Sequence, residues 1–152
     1  MTQRILFVCL GNICRSPTAE GVVRTMAVRR GIDVVLDSAG TASWHVGKPP
    51  YAPMQEAAEQ YGYDLSSLRA RQVRPQDFES FDKIIAMDTE NMSDLQSLAG
   101  SKGAPVVLFT DYAPDLGMDH VPDPYFTRDF DGALRLIESC AQGLLDELEG
   151  GQ

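Results

Sequence analysis

Cys9 and Arg15 stand six residues apart in the segment Cys9-Leu-Gly-Asn-Ile-Cys-Arg-Ser16. A curled loop of this length turns successive backbone N–H groups inward and makes an anion nest. The positive end of a helix starting just after it points at the same spot. Such a field stabilises an ionised sulfur, and a thiolate is nucleophilic without a separate base. Arg15 adds a planar fork matched to phosphate oxygens. The chemistry these residues suit is attack of Cys9 on the phosphorus of a phosphate ester. A Cys with an Arg six residues later is weak alone, and its setting makes it specific. Gly11 and Asn12, between them, are residue types that tolerate positive φ. The plainer alternative, a core thiol at Cys9 and a surface charge at Arg15, explains a Cys on an apolar strand but not the whole loop.

Ester hydrolysis also needs a proton delivered to the departing oxygen. The stretch 110–131 offers Asp111, Asp115, Asp119, Asp123, Asp129 and Asp131, and spacing does not choose among them. Pro124 favours Asp123 somewhat, because the residue before Pro is conformationally restricted. The others read as solvated loop carboxylates. His45 and His120 are the only histidines. They lack metal-ligand spacing and read as loop surface residues. The expectation is therefore no metal and no cofactor, with Arg15 and backbone N–H groups holding the charge of the transferred group. Trp44, in a Gly- and Pro-rich loop over 40–53, and Tyr125 and Phe126, just after Asp123, read as walls of a slot for a flat aryl phosphate. A deep slot favours phosphotyrosine over phosphoserine, whose phosphorus would not reach Cys9.

Alternating strands and helices must position these groups. Residues 5–10 form an apolar run that predicts a buried strand. Ser16-Pro17 then predicts a helix start, with Ser16 as N-cap and Pro at the first helical position. Ala19, Val22, Val23, Met26 and Ala27 follow at helical spacing and Gly31 ends the element. Further strands are predicted at 34–37, 83–87 and 105–109. Helical stripes lie at Met54, Ala57, Ala58 and Tyr61, at Met92, Leu95 and Leu98, and from Phe130 to Leu148, where Cys140 falls on the apolar face. The stretch 110–129 reads as a long acidic loop. This alternation implies a parallel sheet covered on both sides, with ligands bound beyond the carboxyl ends of the strands.

Composition narrows the class. The 152 residues are 43% hydrophobic with a net charge of −9. That fits one globular domain over residues 1–152 and leaves no basic stripe for nucleic acid. Arginines 24, 29, 30, 69, 71 and 74 read as solvated faces. No apolar run is long enough to cross a membrane, and the first residues do not read as a leader. Three cysteines make no disulfide framework. Together these point to a cytoplasmic protein, a monomer with no membrane span.

The loop and the predicted fold resemble the low-molecular-weight protein tyrosine phosphatases over nearly the whole chain. The resemblance rests on Val8-Cys-Leu-Gly-Asn-Ile-Cys-Arg-Ser-Pro17, Asp37-Ser-Ala-Gly-Thr41, Ala70-Arg-Gln72, Met87-Asp88 with Asn91, and Asp123-Pro-Tyr125. It implies a three-layer α/β fold whose four-stranded parallel sheet has the order 2-1-3-4, with helices on both faces. It further implies Cys9 as nucleophile, residues Leu10, Gly11, Asn12, Ile13, Cys14 and Arg15 as the phosphate-binding loop, and Asp123 as general acid. Ser16 would donate to the thiolate, Asn12 would hold a left-handed turn, and Ser38 would support the loop. The implied substrate is a phosphotyrosine-containing protein, cleaved through a phosphocysteine intermediate.

Cys14 would close a reversible disulfide with Cys9 against over-oxidation. The chain departs from many relatives at Leu68, where they carry a His of a buried network, and at Phe126, often a second Tyr. Relatives acting on phosphoarginine carry Thr at the position of Ile13, whose bulk leans toward phosphotyrosine. Two rivals remain. A thiol-dependent arsenate reductase needs further cysteines near 80–90, where this chain has none. A non-catalytic phosphopeptide-binding module would not need the full set of Cys9, Arg15 and Asp123.

Overall fold

The computed structural model describes residues 2–100 and 103–150. Four strands, β1 (Gln3–Cys9), β2 (Val34–Gly40), β3 (Lys83–Ala86) and β4 (Val106–Leu108), form one parallel sheet in the order β2-β1-β3-β4. This is the architecture the resemblance implied. Side chains of β1 alternate between the two faces, as a strand requires. Ile5, Phe7 and Cys9 join one apolar cluster, and Leu6 and Val8 join the other. Both faces are covered, so residues 5–8 are fully buried and read as a continuous apolar run.

The first cluster is closed by α1 (Arg15–Arg30), α2 (Ala52–Gln60) and α6 (Phe130–Gly150). Leu134, Ile137, Leu144 and Leu145 on α6 are completely buried, each contributing ~2 kcal/mol by removal from water. Cys140 lies among them at 0% exposure, as its place on the stripe predicts. The second cluster is closed by α3 (Asp77–Ser80) and α4 (Thr89–Ala99), which bring in Phe78 and Leu95. Gly31 ends α1 in a left-handed conformation, at the predicted stop.

Several boundaries move. β2 runs on to Gly40 because its far edge gains a partner: Gly40 N donates to Arg71 O at 2.8 Å and Val73 N to Gly40 O at 2.8 Å. The acidic stretch is more ordered than a loop. It holds two 3₁₀ turns (Phe109–Tyr112 and Pro114–Leu116) and the one-turn helix α5 (Pro124–Thr127). Helix α1 begins at Arg15 with Cys14 as N-cap, not at Ser16, since Cys14 O already accepts from Thr18 N.

β1 lies between β2 and β3, so the chain leaves its carboxyl end where the strand order reverses. In open α/β sheets that crevice is where ligands bind. Among the described residues, no helix is long and apolar enough to cross a membrane.

Candidate active site

The segment after Cys9 curls because its carbonyls are held from outside. Thr41 N donates to Cys9 O (2.9 Å), Ala42 N to Leu10 O (3.0 Å), Tyr51 N to Ile13 O (2.8 Å) and Thr18 N to Cys14 O (3.2 Å). With the carbonyls turned outward, the N–H groups turn inward. Those of Gly11, Ile13 and Cys14 find no acceptor among the described residues, and Asn12 N–H points at Cys9 Sγ at 3.3 Å. The turn is made at Asn12, whose φ is 57°, while Gly11 keeps a negative φ, contrary to expectation. Glycine serves another purpose there: a Cβ at position 11 would stand 3.0 Å from His45 Cδ2.

Asn12 is buried and uses every polar atom of its side chain. Its Nδ2 donates to Ser16 Oγ (2.8 Å) and Ser38 Oγ (3.0 Å), and its Oδ1 accepts from Arg71 N (2.9 Å). Because Ser16 Oγ accepts from Asn12, its proton is left for Cys9 Sγ at 3.0 Å, with Ala39 O the longer alternative at 3.3 Å. This explains why Ser16 does not cap the helix. Ser38 Oγ in turn donates a hydrogen bond to the buried Glu20 at 2.8 Å, and Arg24 pairs with Glu20 at 2.6 Å. The network closes without a side chain from position 68, since the Arg71 backbone supplies the last donor and Leu68 packs against the apolar core.

Arg15 is 3% exposed. Its Nη1 is fixed by Asp88 Oδ2 (2.7 Å) and Val121 O (3.0 Å), while Nη2 reaches Asp123 Oδ2 at 3.4 Å. Its Nε is buried with no partner, which leaves that donor for a bound oxyanion, with Nη2 held only by the long contact to Asp123. Burial alone would lower the Arg15 pKa. The Cys9 sulfur, the Asp88 hydrogen bond and the Asp123 charge outweigh it and hold the guanidinium above its usual value.

Asp123 caps α5, accepting from Tyr125 N at 3.1 Å, and is followed by Pro at the first helical position. It shares with Cys9 a cavity of about 200 Å³ lined also by Leu10, Gly11, Ile13, Cys14, Trp44, His45, Tyr125 and Phe126. Trp44 and Phe126 are 68% and 70% exposed, as slot walls would be before a ring occupies them. Of the predicted site residues, Cys9, Leu10, Gly11, Ile13, Cys14, Trp44, Asp123, Tyr125 and Phe126 line this cavity, Asn12, Ser16 and Ser38 form the network beneath it, and Arg15 joins the site through Asp123.

The sequence missed other members. Asp88 carries no role in the motif that contains it, yet it caps α4 through Asn91 N (2.7 Å) and anchors Arg15. Its position at the end of a strand and three residues before Asn91 was the available signal. His45 lines the cavity instead of lying on a loop surface, and nothing in sequence announces that. Arg24 stays exposed as expected while reaching the network, and Arg71 is not a solvated face. Arg24 pairs with a Glu one helical turn away, a legible spacing. Arg71 grips buried Asp77 with both terminal nitrogens, at 3.0 and 3.1 Å, and also Asp37. Tyr51 and Arg128 complete the rim: the Tyr51 ring lies 5.2 Å from Tyr125, and Arg128 lies over Tyr51 at 5.3 Å.

Among the described residues, no three His, Cys, Asp or Glu side chains come close enough to hold a metal ion.

Comparison with known proteins agrees with this geometry. The family profile described as low molecular weight phosphotyrosine protein phosphatase matches residues 4–151. The low molecular weight protein-tyrosine-phosphatase YfkJ of Bacillus subtilis is 43% identical over 148 residues, 95% of this chain and 95% of its own length. The crystal structure of YfkJ superposes with a TM-score of 0.96 at 40% identity, covering 100% of this chain and 98% of that one. The Drosophila arginine phosphatase DARP superposes with a TM-score of 0.87 at 34% identity, covering 94% of this chain and 96% of its own. Matched along nearly its full length and covering such relatives almost entirely, the chain belongs to the low molecular weight phosphotyrosine protein phosphatase family.

Proposed function

We propose that this chain, as a single phosphatase domain, hydrolyses phosphotyrosine in proteins and simple aryl phosphates through a phosphocysteine intermediate. One observation carries this. Cys9 and Asp123 face one cavity, with unpaired inward N–H groups and the unpartnered Nε of Arg15, whose Nη2 reaches Asp123. Cys9 attacks phosphorus, the bond from phosphorus to the aryl oxygen breaks, and Asp123 gives that oxygen its proton. Water then attacks the phosphocysteine, Asp123 takes a proton from it, and the thiolate leaves with release of orthophosphate. The loop N–H groups and Arg15 hold charge on the three equatorial oxygens. The aromatic walls Trp44, Tyr125 and Phe126 favour a flat leaving group, and Ile13, lining the same cavity, adds bulk beside the ring.

Cys14 serves the same site as a redox partner. Burial first, then the Cys9 sulfur and Asp123, push its thiol well above the ordinary range, while Arg15 and Arg128 pull the other way. It thus stays protonated while peroxide oxidises Cys9. The Cys9 sulfenic acid then condenses with the Cys14 thiol, releasing water and forming the disulfide. All three cysteines are free, which suits a reducing, cytoplasmic setting. The same proposal takes the chain to act as a monomer.

The test is turnover of p-nitrophenyl phosphate without added metal, inhibited by vanadate. Cys9→Ser should abolish turnover and still bind phosphate. Turnover surviving that substitution overturns the role of Cys9, and arsenate-dependent oxidation of thiols would favour the reductase.

A further inference from the structure

Among the described residues, only two that are not glycine take a positive φ: Asn12 at 57° and Arg128 at 63°. Asn12 shapes the loop around the sulfur. Arg128 ends α5 as a left-handed C-cap, its N–H donating to Pro124 O at 2.8 Å, a place where a glycine would hold the turn with less strain. Backbone strain of this kind clusters at functional sites. The Arg128 guanidinium stacks on two rings, 5.3 Å from the Tyr51 centre and 5.0 Å from the Phe130 centre. One nitrogen, Nη1, donates to Tyr51 Oη (3.1 Å) and Tyr125 O (3.3 Å). Its Nε and Nη2 make no hydrogen bond, and no carboxylate pairs with it, among the described residues. Its nearest acidic neighbours in sequence are committed elsewhere: Asp129 accepts from Gly132 N, and Asp131 accepts from Tyr61 Oη. A pre-ordered, exposed, unpaired cation at the rim of a site is unusual on a chain of net charge −9.

We propose that Arg128 is a specificity-determining residue that pairs with an Asp or Glu side chain flanking the phosphotyrosine of the substrate. This rests on the phosphotyrosine proposal above and adds the sequence context it prefers. Tyr51 lies between Arg128 and Tyr125, at ring separations of 5.3 and 5.2 Å. The guanidinium therefore stands within roughly 10 Å of the slot wall, the reach of about three residues of extended peptide at ~3.3 Å each. Stacking on Tyr51 and Phe130 removes most of the rotamer freedom an exposed arginine would otherwise lose on pairing. The free Nε–Nη2 edge fits a carboxylate with two parallel hydrogen bonds.

The experiment uses the intact chain and phosphotyrosine peptides identical except for Glu or Gln at one position, scanned over the three residues on either side. Wild type should prefer one Glu peptide over its Gln twin by about fivefold in kcat/KM at low salt, the upper range for an exposed ion pair. Half-molar salt should erase most of that preference. Arg128→Gln, and Arg128→Gly, which suits the left-handed backbone, should both bring the ratio close to one. A ratio near one in wild type overturns the proposal, as does a ratio that survives both substitutions. An equal fall for every peptide with the ratio kept would make Arg128 only a prop for the aromatic wall, and also overturns it. p-Nitrophenyl phosphate, which has no flanking residues, reports separately on hydrolysis. If wild type fails to turn it over, the phosphatase proposal falls; turnover with no Glu preference defeats only the role of Arg128.

Discussion

Asn12 offers the sharpest test of how this site is held. Its side chain makes three hydrogen bonds, at 2.8, 3.0 and 2.9 Å, and its backbone sits at φ 57°. At about 1 kcal/mol net for each bond, Asn12→Gly should lose ~3 kcal/mol. Glycine relieves the left-handed backbone but adds unfolded-state entropy of similar size, so that figure stands. Asn12→Ala should lose ~1 kcal/mol more, since a Cβ in the left-handed region costs roughly that much. With a urea m-value of ~1.5 kcal/mol/M, the unfolding midpoint should fall by about 2 M for the glycine variant and somewhat further for alanine. Turnover of p-nitrophenyl phosphate by the folded fraction should also fall by at least about tenfold in both. Ser16 then loses the donor that aims its proton at Cys9, a loss comparable to removing a fixed donor from a charged site. If Asn12→Gly keeps the wild-type midpoint and turnover, the network beneath the loop does no supporting work and the reasoning fails.

Asp123→Asn should slow phenyl phosphate, a poor leaving group, by on the order of a hundredfold or more, and p-nitrophenyl phosphate far less; equal losses would contradict its role as acid. Peroxide inactivation of wild type should be reversed by dithiothreitol, whereas Cys14→Ser should be lost irreversibly; recovery of that variant to the wild-type extent would remove Cys14 from the redox chemistry. Burial pushes the Cys140 thiol from 9.0 up to about 12. Between those values the folded chain keeps a proton that the unfolded chain releases, so this contribution is intact below pH 9 and is lost as pH rises toward 12. Urea midpoints should therefore show, by about pH 10.5, a loss in wild type that exceeds by ~2 kcal/mol the loss in Cys140→Ala, itself less stable at pH 8. Parallel pH profiles would refute the assignment.

Sequence alone was enough for the main elements that depend on local order, though it misplaced the start of α1 and read the turns of the acidic stretch as loop. The apolar run of β1, Pro17 inside the first turn and Gly31 at its end are local signals, and short-range physics places them. The spacing of Cys9 and Arg15 is likewise local, because loop and helix start are contiguous. Sheet order and the choice of Asp123 among six nearby carboxylates came from resemblance, since neither is encoded in spacing. Tertiary structure alone decided which distant groups meet. Asp88 and Val121 grip Arg15 from chain positions 73 and 106 residues away, and Arg71 closes the Asn12 network from 59. His45 enters the cavity and Arg128 stacks on Tyr51 because a parallel sheet gathers its strand ends, and the loops beyond them, at one edge. A hydrogen bond needs two groups within about 3 Å, and a chain order cannot state such a distance until the fold has brought its segments together.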